Sequence, residues 1–221
     1  MDERIVLFGG AFDPVHNGHL IAARAIAEQR GYSRITLVPS SRGPHKAPAA
    51  ASDADRLEML RLAVWGDELF DVSDLELRRP APSYTYDTLT EIRQTHSGPI
   101  DLIIGADMLA DMPNWYRADD VVQMAQLIVA ARPPWQDKFR AMSALLTERF
   151  GKRKAKEMLE GMCITPLLDI SSSDIRRRLG AGLSIRYMVP DAVGQYISSR
   201  TLYSPDVSDS SVGSDSDSPD L

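Results

Sequence analysis

Apolar residues fall along this chain in two alternating patterns. Short unbroken runs, such as Ile5-Val6-Leu7-Phe8 and Leu102-Ile103-Ile104, have the length and branched content of strands buried on both faces. Between them lie alanine- and leucine-rich stretches with strong helix propensity, such as Leu20-Ile21-Ala22-Ala23-Arg24-Ala25-Ile26-Ala27. The pattern predicts strands over residues 4–8, 35–39, 70–77, 100–105, 127–131 and 162–165. It predicts helices over 18–29, 54–64, 85–94, 118–125 and 136–160, the last broken near Gly151. Shorter helices follow over 173–179 and 191–199. Ser52-x-x-Asp55 places a side-chain acceptor at one helix start, and Gly180-Ala181-Gly182 suits a helix stop. Strand–helix alternation of this kind argues for a parallel sheet covered on both faces. The expected class is α/β: a Rossmann-like, doubly wound parallel sheet with a small C-terminal helical portion. No internal repeat is apparent.

At 221 residues the default is a single domain of ordinary size, here residues 1–203. Residues 204–221 are almost wholly Ser, Asp, Gly and Pro and cannot offset the entropy of ordering, so a disordered acidic tail is expected. That tail carries five aspartates and no lysine or arginine, so it holds all but one of the chain's six net negative charges. The near-neutral body gives no whole-surface argument for nucleic-acid or membrane binding, and phosphate affinity must come from local placement of His, Lys and Arg. No apolar run approaches the ~20 residues that span a bilayer, and the N-terminus lacks signal-peptide features. The single cysteine, Cys163, excludes an internal disulfide framework and reads as a small apolar strand residue. A cytoplasmic enzyme fits these features, and a homo-oligomer is compatible with them.

The candidate chemistry begins at Gly9-Gly10-Ala11-Phe12-Asp13-Pro14-Val15-His16-Asn17-Gly18-His19, between the first strand and the first helix. Two glycines allow a sharp turn and close ligand approach. Unpaired N–H groups at the helix start attract anions. His16 and His19 share that start, and without a third His or Cys nearby they make a poor zinc site. Asp13 reads as a brace for the loop, and Phe12 as a residue packed beneath it. Other loops follow strands in the same way: Pro39-Ser40-Ser41, Gly105-Ala106-Asp107 and the Ser171 region. In a doubly wound sheet they converge on one rim. Ser171-Ser172-Ser173-x-x-Arg176 joins an N-cap to a basic side chain, while Arg177 and Arg178 face elsewhere. Trp65 and Trp135 read as packing residues, and 149–156 as a solvated basic helix face.

G-G-x-F-D-P-x-H-x-G-H together with Ile170-Ser171-Ser172-Ser173-Asp174-Ile175-Arg176 resembles the HxGH nucleotidyltransferase superfamily. Over residues 4 to 203 the chain resembles, more narrowly, the bacterial nicotinate-nucleotide adenylyltransferase family. The resemblance implies transfer of AMP from ATP to nicotinate mononucleotide, giving deamido-NAD and pyrophosphate. It assigns His16 and His19 to charge developing at the phosphates, and Lys46 (in Pro44-His45-Lys46) and Arg176 to the departing pyrophosphate. Gly9, Gly10, Ala11, Phe12, Gly18, Ser171, Ser172 and Ser173 would line the ATP site, with Gly105 and Asp107 on its ribose. Ala11 departs from the Thr or Ser that many superfamily members carry, which removes a hydroxyl but leaves the backbone N–H. Ser83-Tyr84-Thr85-Tyr86-Asp87-Thr88-Leu89 and Asn114-Trp115-Tyr116 match the family's substrate elements. They imply a nicotinate ring on Trp115, with Thr85 and Tyr116 donating to its carboxylate. Mg²⁺ would ride mainly on ATP phosphates and water rather than on a protein cage. Two alternatives stand beside this reading. One is an adenylyltransferase acting on phosphopantetheine or nicotinamide mononucleotide; the other is a nucleotide-sensing module without turnover.

Overall fold

A computed structural model describes residues 3–41, 49–131 and 136–204, excepting the side chains of 136–139. Six strands form one sheet: β1 (Ile5–Gly10), β2 (Ile35–Pro39), β3 (Phe70–Val72), β4 (Ile100–Gly105), β5 (Gln126–Ala131) and β6 (Met162–Ile164). Their order is β3-β2-β1-β4-β5-β6, with every pairing parallel. The helices are α1 (Asn17–Arg30), α2 (Asp53–Ala63), α3 (Thr85–Arg93), α4 (Ala106–Asp111), α5 (Ala118–Met124), α6 (Gln136–Glu160), α7 (Ser172–Gly180) and α8 (Asp191–Ser199). The sheet grows outward from β1 in both directions, so the chain reverses its winding between β1 and β4. Ligands of such sheets sit at that switch point, beyond the carboxyl ends of the strands.

Side-chain alternation divides the core into two layers. Val6 and Phe8 of β1, Ile103 of β4 and Ile128 of β5 join one buried cluster with Ala23 and Ile26 of α1, Met59 and Leu60 of α2, and Val193 of α8. Leu7, Leu102, Ile104, Leu127 and Val129 point the other way, into a cluster with Leu89 of α3, Leu109 of α4, Val121 of α5 and Met158 of α6. Each fully buried Leu or Ile side chain contributes about 1.5–3 kcal/mol over its exposed state. The central strands are therefore apolar on both faces, as their unbroken runs require. Among the described residues no helix is long and apolar enough to cross a membrane.

Most expected elements appear within a residue or two of their sequence boundaries, and α6 is interrupted at Gly151, which adopts φ 80°. Three expectations fail. The third strand ends at Val72 rather than residue 77, because Ser73 Oγ accepts the Leu75 N–H and the chain turns over Asp74. Helix α4 and the 3₁₀ turn Met112–Asn114 were not expected, since so short a helix ending near a proline shows no helical periodicity. Trp65 does not pack: it is 90% exposed in the turn after α2. Trp135 and residues 205–221 lie outside the described residues.

Candidate active site

The loop from Gly10 to the start of α1 is held open by its own side chains. Phe12 takes a left-handed backbone (φ 48°), an unfavourable conformation for a bulky residue. Its buried ring compensates by meeting Phe8 and His19 edge-on, at 5.6 and 5.0 Å between centroids. Only the backbone of Phe12 is therefore available to a ligand. His16 is the N-cap of α1, and its ring stacks on that of His19 at 3.6 Å. The His16 N–H donates to His19 Nδ1 at 3.3 Å. A nitrogen that accepts carries no proton, so the neutral ring of His19 bears its N–H at Nε2. His16 is buried and His19 half-buried, so His19 is the more accessible of the pair. Gly18 makes the stack possible: a Cβ there would lie 3.0 Å from His16 Nδ1.

Helix α7 docks onto this same loop. Ser171 caps it by accepting the Asp174 N–H, Ser172 Oγ donates to the Pro14 carbonyl at 2.9 Å, and Arg176 Nη1 donates to the Asp13 carbonyl at 2.6 Å. The two motifs, more than 150 residues apart in sequence, thus meet within the stretch Asp13 to His16. Ser173 is exposed and lies 3.4 Å from Arg176. Arg177 is exposed, as expected, whereas Arg178 is half-buried and donates to the Ser184 carbonyl.

Asp13 braces three segments at once. Its carboxylate accepts the N–H groups of Ala50 (2.7 Å) and Ala51 (3.1 Å) and the hydroxyl of Tyr203 (2.8 Å). Burial, reinforced by that bond to Asp13, pushes the Tyr203 hydroxyl's pKa well up. Arg56, fully buried on α2, donates to the Ala11 carbonyl at 2.6 Å and pairs with Asp53 at the same distance. Neither Tyr203 nor Arg56 was singled out from sequence. For Arg56 a signal existed, since an arginine sits on the helix face that buries Met59 and Leu60; for Tyr203 none did. The loop after β2 starts beside the first one, with the Ser40 N–H donating to the Gly10 carbonyl at 2.8 Å. Lys46 and His45 lie outside the described residues.

Across the switch point, the register that pairs Phe8 with Ile103 sets Gly105 level with Gly10. A Cβ at Gly9 or Gly105 would meet nothing within 4 Å, so open space lies in front of both strand ends. Gly105 caps α4, and Asp107 is exposed in that helix's first turn. The candidate pyridine-binding residues also converge. Tyr116 is exposed, and its ring meets those of Tyr84 and Tyr86 at 4.5 and 5.8 Å; these two flank Thr85 at the start of α3. Trp115 is half-buried against the core beneath β4 and β5. The S-Y-T element is anchored by Glu76, which accepts the hydroxyls of Ser83 and Thr88, and by Arg79, which bonds both. That anchoring draws Glu76 inward where a longer third strand was expected. Among the described residues no group of three or more His, Cys, Asp or Glu could hold a metal ion.

A cleft of about 590 Å³ opens at the opposite, amino rim of the sheet, lined by Arg4, Arg30, Arg93, Met124 and Glu160 among others. Four helices end there, and their negative poles disfavour phosphate. The carboxyl rim, where α1 and α7 begin, has the polarity that favours an anion.

The chain matches the cytidylyltransferase-like family model over residues 7–178. It is 38% identical over 203 residues to the probable nicotinate-nucleotide adenylyltransferase of Thermomicrobium roseum, covering 91% of this chain and 92% of the relative. The corresponding protein of Thermus thermophilus is 40% identical over 201 residues, with 90% and 99% covered. The chain belongs to the nicotinate-nucleotide adenylyltransferase family. The same fold occurs in Plasmodium falciparum nicotinic acid mononucleotide adenylyltransferase complexed with NaAD, at TM-score 0.71 and 19% identity, covering 91% of this chain and 98% of that one. A Vibrio parahaemolyticus structure described as a nicotinate-nucleotide adenylyltransferase gives TM-score 0.63 at 18% identity, with 91% and 96% covered. The H-x-G-H stretch of the sequence, His16 to His19, follows directly on the Asp13-Pro14 segment onto which α7 docks.

Proposed function

We propose that this protein transfers AMP from ATP to nicotinate mononucleotide, forming deamido-NAD and pyrophosphate in NAD biosynthesis, with the first loop and α7 as its phosphate grip. The observation that carries the reading is the docking of Ser172 and Arg176 onto Asp13 and Pro14, beside the stacked histidines. The 5′-phosphate oxygen of the mononucleotide attacks the α-phosphorus of ATP. The bond to the bridging oxygen breaks on the far side, and pyrophosphate leaves without an enzyme-bound adenylate. Such transfers depend on positioning and charge stabilisation more than on a covalent partner.

His19 donates from Nε2 to the α-phosphate and bridging oxygens, and His16 supports the ring from behind. The positive starts of α1 and α7 face the β- and γ-phosphates, with backbone from Gly9, Gly10, Ala11, Phe12 and Gly18 contributing. Arg176 and Lys46 neutralise the leaving pyrophosphate; Arg176 needs only to turn from the Asp13 carbonyl, since its side chain is a third exposed. Asp107 receives the ribose hydroxyls of ATP beside Gly105. Trp115 stacks on the electron-poor pyridinium, while Thr85 and Tyr116 offer donors to the carboxylate, which suit an acid better than an amide. ATP arrives as its Mg²⁺ complex, the ion held by phosphate oxygens and water.

The test is pyrophosphate release measured in parallel with nicotinate mononucleotide, nicotinamide mononucleotide and phosphopantetheine. Turnover should be greatest with the first. Preference for phosphopantetheine or for the amide would reassign the substrate, and tight nucleotide binding without turnover would make the chain a sensor.

A further inference from the structure

The C-terminal turn of the folded chain is tied into the first loop in a way that packing alone does not require. Helix α8 lies along α2, where Tyr196 donates its hydroxyl to Asp55 at 2.9 Å and Arg200 reaches the same oxygen at 3.4 Å. The chain then reverses through Thr201 and Tyr203, both left-handed at φ 53° and 62°. These strained conformations deliver the Tyr203 hydroxyl to Asp13 Oδ1. Asp13 is 5% exposed, and its two oxygens serve three donors: the Ala50 N–H on one, the Ala51 N–H and the Tyr203 hydroxyl on the other. Ala50 and Ala51 lie four and five residues after Lys46. One carboxylate therefore joins the loop bearing the histidines to the residues that lead into α2, with the phenol as its third hydrogen-bond donor and Arg176 Nη1 at 3.7 Å from Oδ2.

We propose that Tyr203 is a positioning residue for adenylyl transfer. Its hydroxyl steadies the Asp13 carboxylate so that the histidine loop keeps a fixed place against the residues that lead into α2. Tyr203 touches no substrate and acts through Asp13. The inference rests on the reading of the first loop as the phosphate site. Losing the hydroxyl leaves Asp13 Oδ1 with the Ala51 N–H alone, while Oδ2 keeps the Ala50 N–H and the Arg176 ion pair, so the carboxylate is held less firmly. Small misplacements of reacting groups cost up to ~10²-fold in rate.

The experiment compares Tyr203→Phe, Tyr196→Phe and His19→Ala in the full chain, measuring kcat, KM for nicotinate mononucleotide and urea stability. Tyr196→Phe is the structural control, because it removes a tyrosine–carboxylate bond from α8, just before the Tyr203 turn, without touching the first loop. Tyr203→Phe should lower kcat about tenfold with KM within about twofold, while Tyr196→Phe keeps kcat within about twofold. Wild-type kcat in Tyr203→Phe, or equal losses in both tyrosine variants, overturns the proposal. If His19→Ala also keeps its kcat, the reading of the loop falls with it; if His19→Ala is inactive, only the role of Tyr203 falls. Amide hydrogen exchange in the unaltered protein gives an independent check. The Ala50 and Ala51 amides should be protected to the level of the sheet, and rapid exchange of both overturns the proposal.

Discussion

Replacing Gly18 by alanine should separate catalysis from stability. Gly18 lies in the first turn of α1 with an ordinary helical backbone, so alanine is favoured there by up to about 1 kcal/mol. Against that gain, the new Cβ would lie 3.0 Å from His16 Nδ1 and 3.1 Å from its Cε1, so the ring must move by a few tenths of an ångström. The ring is 2% exposed and has His19 stacked on it at 3.6 Å, so the movement passes to His19. An imidazole forced about 30° off its preferred rotamer costs roughly 0.5–1.5 kcal/mol. The opposing contributions nearly cancel, and unfolding free energy should change by less than about 1 kcal/mol. The rate should not be spared: a displaced donor at the α-phosphate lowers kcat by about tenfold or more. Urea denaturation and pyrophosphate release on the same sample measure both. Unchanged kcat with unchanged or raised stability would show that the stacked pair does not need its observed geometry.

Other outcomes follow from the same site. His19→Ala should lower kcat by about 10²- to 10³-fold, the effect of removing one oxyanion-type donor, and a loss below about tenfold in a folded variant would remove His19 from the reaction. Trp115→Ala should raise KM for nicotinate mononucleotide and spare that for ATP; equal effects on both would make Trp115 a packing residue only. Bonds from the hydroxyls of Ser52 and Tyr196, with Arg200 nearby, hold the Asp55 carboxyl below its ordinary pKa of 3.8 despite burial. Its contribution is therefore complete above that unfolded-state value and drains as pH falls through the lower folded one. The urea midpoint should decline on acidification below pH 4 and decline less in Asp55→Asn; parallel curves for the two proteins would refute this.

Sequence made the sheet and the turn between β1 and α1 legible because both rest on local rules. Unbroken apolar runs mark strands covered on both faces, and glycines followed by two histidines mark a strand-to-helix turn. The failures have long-range causes. The third strand stops at the Ser73 turn, and Glu76 beyond that turn is held by Ser83 and Thr88, partners that lie outside the run. Trp65 read as core by residue type, yet nothing in its local pattern reveals that α2 ends with that position facing water. Ser172 read as a phosphate ligand, and the fold shows its hydroxyl joining α7 to Pro14. Tyr203 could not be foreseen: its partner, Asp13, is 190 residues away, and no periodicity links them.

The acidic net charge of the chain does not oppose a highly charged substrate, because the field that matters is set by direction rather than total. In a parallel sheet the helices run back against the strands, so their positive starts gather at the carboxyl rim and their negative ends at the amino rim. Helices α1, α4 and α7 all begin at the carboxyl rim and turn their positive poles toward it. The same direction explains the arginines of the other rim. Arg93 donates to the Gly98 and Met124 carbonyls, and Arg30 to that of Glu160, so they quiet helix ends rather than recruit ligands. The arginines lining the amino-rim cleft are therefore no argument for phosphate there. Helix direction favours the rim where His19 and Arg176 stand, and added tripolyphosphate should perturb the amides of Gly10 and Gly18 before any at Met124 or Leu127.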